Sequence, residues 1–141
     1  MTQSHTEQIL VWLVEDNEVF RRSVQRVITS LDGMSCDGSF DSAEAAFRAL
    51  QNQAAPDVIL LDVQLPGVDG LSALSKFKEC IPDTRVIILT VFDDADKIFR
   101  AVCAGASGYV LKASGTDNIG ESIRQVMGGG APMTPAVAKK V

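Results

Sequence analysis

Asp57-Val-Ile-Leu-Leu-Asp62-Val-Gln-Leu-Pro66-Gly67-Val-Asp69-Gly70 is the stretch around which the rest of the chain is organised. A short continuous apolar run, bounded by turn residues, predicts a strand buried on both faces and therefore part of a parallel sheet. Asp62 then stands at the carboxyl end of that strand, where open α/β sheets place their ligand sites. An acid in this position can also do no more than turn the chain. The stretch alone leaves both readings open.

The 141 residues suit one domain with a real core. With 46% hydrophobic and 22% charged residues, the composition is that of an ordinary globular protein. A net charge of −5 and a pI near 4.7 argue against nucleic-acid binding by this chain, because phosphate contacts need clustered Lys and Arg. Cys36, Cys80 and Cys103 are far apart and form no CxxC pair, which predicts reduced, buried thiols rather than disulfides or a zinc site. The one histidine, His5, lies in a polar lead-in, so a histidine-based triad or metal cluster is not expected. Met1 to Gln8 lack a signal-peptide core, and no apolar run approaches the ~20 residues of a membrane span. A cytoplasmic protein with no membrane partner is expected.

In chain order, Ile9–Val14 reads as a first buried strand ending in Glu15-Asp16-Asn17. Val19, Phe20, Val24, Val27, Ile28 and Leu31 then share one helical face. Met34–Phe40 reads as a more polar edge strand, and Asp41-Ser42-x-Glu44 opens a second helix with inner residues Ala43, Ala46, Phe47 and Leu50. After the Asp62 strand, Asp69 can cap a third helix whose buried side is Leu71, Leu74 and Phe77. Arg85–Thr90 is a fourth strand, followed by a helix bearing Ile98, Phe99 and Val102. Ser107–Lys112 is a fifth strand, and Thr116 caps a last helix with Ile119, Ile123, Val126 and Met127 inside. Strands alternating with helices imply right-handed βαβ units. The predicted fold class is therefore α/β: a flavodoxin-like, doubly wound, five-stranded parallel sheet in the order 2-1-3-4-5, with helices on both faces. Residues 1–8 read as a disordered lead-in, 9–128 as the domain, and 129–141 as a linker towards an absent output domain.

In that order, Glu15, Asp16, Asp62, Thr90 and Lys112 converge at one edge of the sheet. Three carboxylates packed together repel one another unless positive charge sits among them. A hard divalent cation with oxygen ligands, Mg2+ above all and Mn2+ as a substitute, meets that need. Lys112 adds a movable charge opposite the metal.

These residues carry a resemblance to response-regulator receiver domains over residues 9 to about 128. It rests on Glu15-Asp16 after the first strand, Asp62 in LLDVQLPGVDG, Thr90 in VIILT and Lys112 in GYVLK. LTVFDDAD, AGASGYVLKAS and GGGAPMTP resemble the LuxR/NarL type, in which a helix-turn-helix DNA-binding domain follows the receiver. The resemblance implies that Asp62 is the phosphoacceptor for a sensor histidine kinase. It also implies that Asp16, Asp62 and the Gln64 backbone carbonyl hold the metal, with Glu15 acting through water. Lys112 and Thr90 would bind phosphoryl oxygens, and Gln64, Val91 and Phe92 would flank the site. The chain would be a phosphoprotein of a two-component system that controls transcription, rather than a turnover enzyme. It would not bind DNA by itself, and it would form a homodimer on phosphorylation.

Two departures stand out. Glu15 replaces the more usual Asp, and its extra methylene can shift the metal's water shell. Ala113 follows Lys112 where many receivers have proline, so the cis peptide common there is not to be assumed. A switch is expected in which the Thr90 hydroxyl moves to the phosphoryl group and the Tyr109 ring turns inward, the inward form being already sampled before phosphorylation. The face that changes would include Asp94, Lys97, Phe99 and Tyr109. Rival classes fit less well. A dehalogenase-type phosphatase wants an acid at position 64, which is Gln, and neither GxGxxG nor GxxxxGK[ST] occurs. The remaining alternative is a degenerate receiver that serves as a phosphorylation-independent interaction module.

Overall fold

Strands β1 (Ile9–Val14), β2 (Met34–Phe40), β3 (Val58–Leu61), β4 (Arg85–Thr90) and β5 (Gly108–Leu111) pair in parallel, in the order β2-β1-β3-β4-β5. The helices between and after them are α1 (Glu18–Ser30), α2 (Ala43–Leu50), α3 (Gly70–Cys80), α4 (Ala95–Cys103) and α5 (Ile119–Met127). The computed structural model describes residues 8–64, 70–91, 95–114, 116, 118–133 and 139.

Side chains along a strand alternate between the two faces of the sheet, and here both faces are apolar. Trp12, Val14, Ile59, Leu61 and Ile88 point into one core, closed by α2, α3 and α4. Val11, Leu13, Leu60, Ile87 and Leu89 point into the other, closed by α1 and α5. All four residues of β3 are buried, which explains the unbroken apolar run before Asp62. Asn17 caps α1, its Oδ1 accepting a hydrogen bond from the Phe20 N–H at 2.9 Å. Ser42 does the same for α2 with the Ala45 N–H at 3.1 Å.

Several expectations are corrected. Val19 is 77% exposed, because it lies well away from the Val24–Ile28 stripe around the helix. Phe99 and Val102 face solvent, while Ile98 and Ala101 fill the core side of α4. Cys80 and Cys103 are free and exposed in the last turns of α3 and α4, and Cys36 is half-buried. Asn118, not Thr116, is the cap of α5, and Thr116 contributes its carbonyl to the Ile119 N–H at 3.3 Å. Lys112 does not end β5 but opens a single 3-10 turn, Lys112–Ser114, and its peptide bond to Ala113 is trans. His5, Asp69, Phe92 and Asp94 lie outside the described residues.

Beyond α5 the chain returns to the sheet. The Tyr109 N–H donates to the Pro132 carbonyl at 3.0 Å, and Tyr109 bridges Met133 in parallel. These contacts cover the outer edge of β5, which would otherwise leave strand amides open to other chains. Residues 132 and 133, read from the sequence as linker, thus pack on the domain.

Where α3 begins, the backbone passes very close to the residue after Asp62. A Cβ on Gly70 would overlap the Val63 Cα and lie 2.5 Å from its carbonyl carbon and oxygen. Backbone atoms cannot rotate aside as a side chain can. Gly70→Ala should therefore lower stability by about 2 kcal/mol or more. Urea unfolding reads this directly, and an unchanged midpoint would show that the turn yields.

Candidate functional site

The register of the sheet builds the site. Leu61 pairs with Val14 on one side and Ile88 on the other, so the next residues, Glu15 and Asp62, emerge side by side. Thr90 ends β4 opposite Leu111, which puts Lys112 one residue beyond that edge. Carboxylate oxygens of Glu15, Asp16 and Asp62 all lie within 4.8 Å of one another. Glu15 and Asp62 are buried and Asp16 is exposed.

Lys112 sits between the two buried acids. Its Nζ is 2.5 Å from Glu15 Oε1 and donates to Asp62 Oδ2 at 2.9 Å. The second oxygen of each acid is held by backbone: Asn17 N–H donates to Glu15 Oε2 and Gln64 N–H to Asp62 Oδ1, both at 2.9 Å. Glu15 Oε1 accepts no well-directed hydrogen bond, so its contact with Lys112 is ionic. Burial pushes the Glu15 pKa up, with the Asp62 charge adding to it; the adjoining Lys112 ammonium and the Asn17 hydrogen bond only partly offset this. Burial works against the Lys112 charge, but Glu15 and Asp62 more than offset it, so the ammonium titrates above its usual range.

Three oxygen acids around one point, one of them buried with an atom lacking a directed partner, form a donor set that suits a hard divalent cation. Part of the positive charge that the acids require comes from Lys112 itself.

Residues 11–124 match the response regulator receiver domain family. The chain belongs to that family. It is 32% identical over 133 residues to the response regulator GacA of Pseudomonas aeruginosa, across 94% of this chain and 62% of GacA. A solved two-component response regulator of the LuxR family from Aurantimonas sp. SI85-9A1 superposes with a TM-score of 0.88 at 27% identity, covering 95% of both chains. The receiver domain of the response regulator NarL from Mycobacterium tuberculosis gives a TM-score of 0.80 at 28% identity, over 87% of this chain and 98% of that one. This receiver therefore spans about 62% of the length of the curated GacA relatives that it matches.

Of the sequence-predicted site residues, the receiver brings Glu15, Asp16, Asp62 and Lys112 into one cluster. Thr90 and Tyr109 are fully buried nearby in β4 and β5, whereas Gln64 and Val91 are exposed. The Tyr109 ring, expected to turn inward on switching, already lies inside, in the cluster that holds Ile88, Ile98 and Ala101. Three contributors were missed. Asn17 holds Glu15, Arg21 Nη1 donates to the Glu15 carbonyl at 2.8 Å, and the Phe20 ring lies under Lys112 with its centroid 4.7 Å from Nζ. The available signal was their place in the first helical turns after an acidic pair.

Removing the ammonium leaves Glu15 and Asp62 buried beside each other without compensation. In chelator-treated buffer at pH 7, Lys112→Met should cost about 2 kcal/mol or more of stability. A buried acid with a raised pKa gains relative to the unfolded chain by taking up a proton. The deficit should therefore narrow as pH falls into the raised Glu15 range. Denaturation curves at several pH values test this, and a deficit that does not change with pH would contradict it.

Proposed function

We propose that this receiver is the phosphoacceptor of a two-component response regulator: Asp62 takes a phosphoryl group from a sensor histidine kinase and thereby controls a helix-turn-helix DNA-binding output domain in transcription. One observation carries the reading. Asp62, 5% exposed at the end of β3, has one carboxylate oxygen on Lys112 and the other on a backbone N–H, with two further acids grouped around it.

Those two contacts fix the direction of the carboxylate before any phosphodonor arrives, which is the kind of positioning that phosphoryl transfer rewards. One Asp62 oxygen forms a bond to phosphorus while the bond from phosphorus to the donor histidine nitrogen breaks, its electron pair leaving with that nitrogen. Lys112, kept charged by its acids, then faces a phosphoryl oxygen, and the Thr90 hydroxyl donates to another. Asp16, Asp62 and the Gln64 carbonyl would hold Mg2+ or Mn2+, with Glu15 acting through water. The bound cation supplies charge compensation at the phosphoryl oxygens. The acyl phosphate stays on the protein's own residue, so the domain is a switch and not a turnover enzyme. Exposed Gln64 and Val91 flank the acceptor, and Gln64 and Phe92 tune water access to it. The greater length of the GacA relatives supports an output domain beyond this chain. A cytoplasmic setting and a phosphorylation-dependent homodimer complete the reading.

Intact mass after incubation with acetyl phosphate and Mg2+ should show one added phosphoryl group, absent in Asp62→Asn and nearly absent in Asp16→Ala. A modified Asp62→Asn protein would point to another acceptor. The switch has a separate readout. With beryllofluoride and Mg2+, NMR shifts should extend from Asp62 through Thr90 to the Tyr109 amide, and changes confined to the neighbours of Asp62 would rule out this route.

A further inference from the structure

We propose that Phe20 is a positioning residue: the negative face of its ring anchors the Lys112 ammonium so that the charge swings between the acids and the phosphoryl group without escaping to solvent. This rests on the reading of Asp62 as acceptor and Lys112 as its phosphoryl-binding partner.

Three groups surround the Lys112 Nζ among the described residues: Glu15 at 2.5 Å, Asp62 at 2.9 Å and the Phe20 ring centroid at 4.7 Å. The lysine side chain is 17% exposed, so this is not a surface lysine lying over an aromatic by chance. Lys76 over Phe47 shows the contrast. That ammonium is 4.6 Å from its ring, but its residue is exposed and forms no ion pair with an acid among the described residues. The position of Phe20 is set from several sides. Its ring packs against the α1/α5 core, and its N–H is held by Asn17 Oδ1. Asn17 N–H in turn holds Glu15 Oε2, and the neighbouring Arg21 holds the Glu15 carbonyl. The ring is therefore fixed relative to the acid that Lys112 contacts.

An ammonium must loosen its contacts with Glu15 and Asp62 to meet a phosphoryl oxygen. The Phe20 face is neutral and is not consumed by phosphorylation, so its attraction to the cation persists through that movement. A leucine of similar bulk would cover the same area but offer no negative face.

The test uses the full chain with acetyl phosphate at fixed Mg2+, following the rate of Asp62 phosphorylation by intact mass. Phe20→Leu should be about 3- to 10-fold slower, the range expected of a partly desolvated cation–π contact. Phe20→Tyr and Phe20→Trp should stay near the unsubstituted rate. Should the leucine variant fail to fold, pentafluorophenylalanine at position 20 keeps the shape, drains the ring face, and should slow the reaction equally. A leucine or pentafluoro variant at full rate, or a tyrosine variant as slow as leucine, would overturn the proposal. NMR relaxation of the Lys112 ε-methylene without phosphodonor reads the contact alone: restricted with Phe or Tyr, mobile with Leu. If the unsubstituted protein is not phosphorylated on Asp62, the acceptor reading fails, while relaxation still decides whether Phe20 restrains Lys112.

Discussion

Two buried carboxylates, Glu15 and Asp62, face each other at the end of the central strands, and one lysine keeps them together. Like charges taken out of water raise the free energy of the fold unless a counter-charge is placed among them. The rest of the site answers that constraint. Backbone N–H groups of Asn17 and Gln64 take the outer oxygens, and Lys112 takes the inner ones. The cluster is poised because its parts are held apart from water and close to one another. It can respond to new charge for the same reason.

The scaffold supplies the stiffness this requires. A sheet with an apolar core on each face has no side open to water, so its strands cannot slip in register without exposing one of the cores. The parallel arrangement sends every strand's carboxyl end to the same edge. Residues separated by as many as 97 positions, Glu15 to Lys112, thus meet with side chains of ordinary length. A side chain at Gly70 would overlap the Val63 backbone, so glycine is what lets α3 start this close behind Asp62.

Helix α1 belongs to both core and site. Val24 and Ile28 bury its middle, while its first turns bring Asn17, Phe20 and Arg21 against the acidic loop. At the opposite edge, Pro132 and Met133 pair with β5 at Tyr109, directly beside a residue buried against α4. The segment that follows α5 is thereby attached to the strand from which Lys112 continues.

The sequence by itself determined the strand–helix alternation, the sheet order and the grouping of Glu15, Asp16, Asp62, Thr90 and Lys112 at one edge, because buried parallel strands write themselves as apolar runs and leave polar residues at or just past their ends. It also carried the half-cap at Ser42, which needs only local spacing. It could not place Val19, Phe99 or the two exposed cysteines, since helical periodicity leaves a wide margin at the edge of a stripe and only a packed neighbour decides which residues are covered. How far Tyr109 is buried was open for a related reason: it depends on α4 closing over β5, which no local pattern records. The tertiary structure alone decided that Lys112 bridges Glu15 and Asp62 and rests on Phe20. Those contacts join residues from opposite ends of the chain, and their distances are set by the pitch of the sheet and the packing of α1 rather than by any spacing in the sequence.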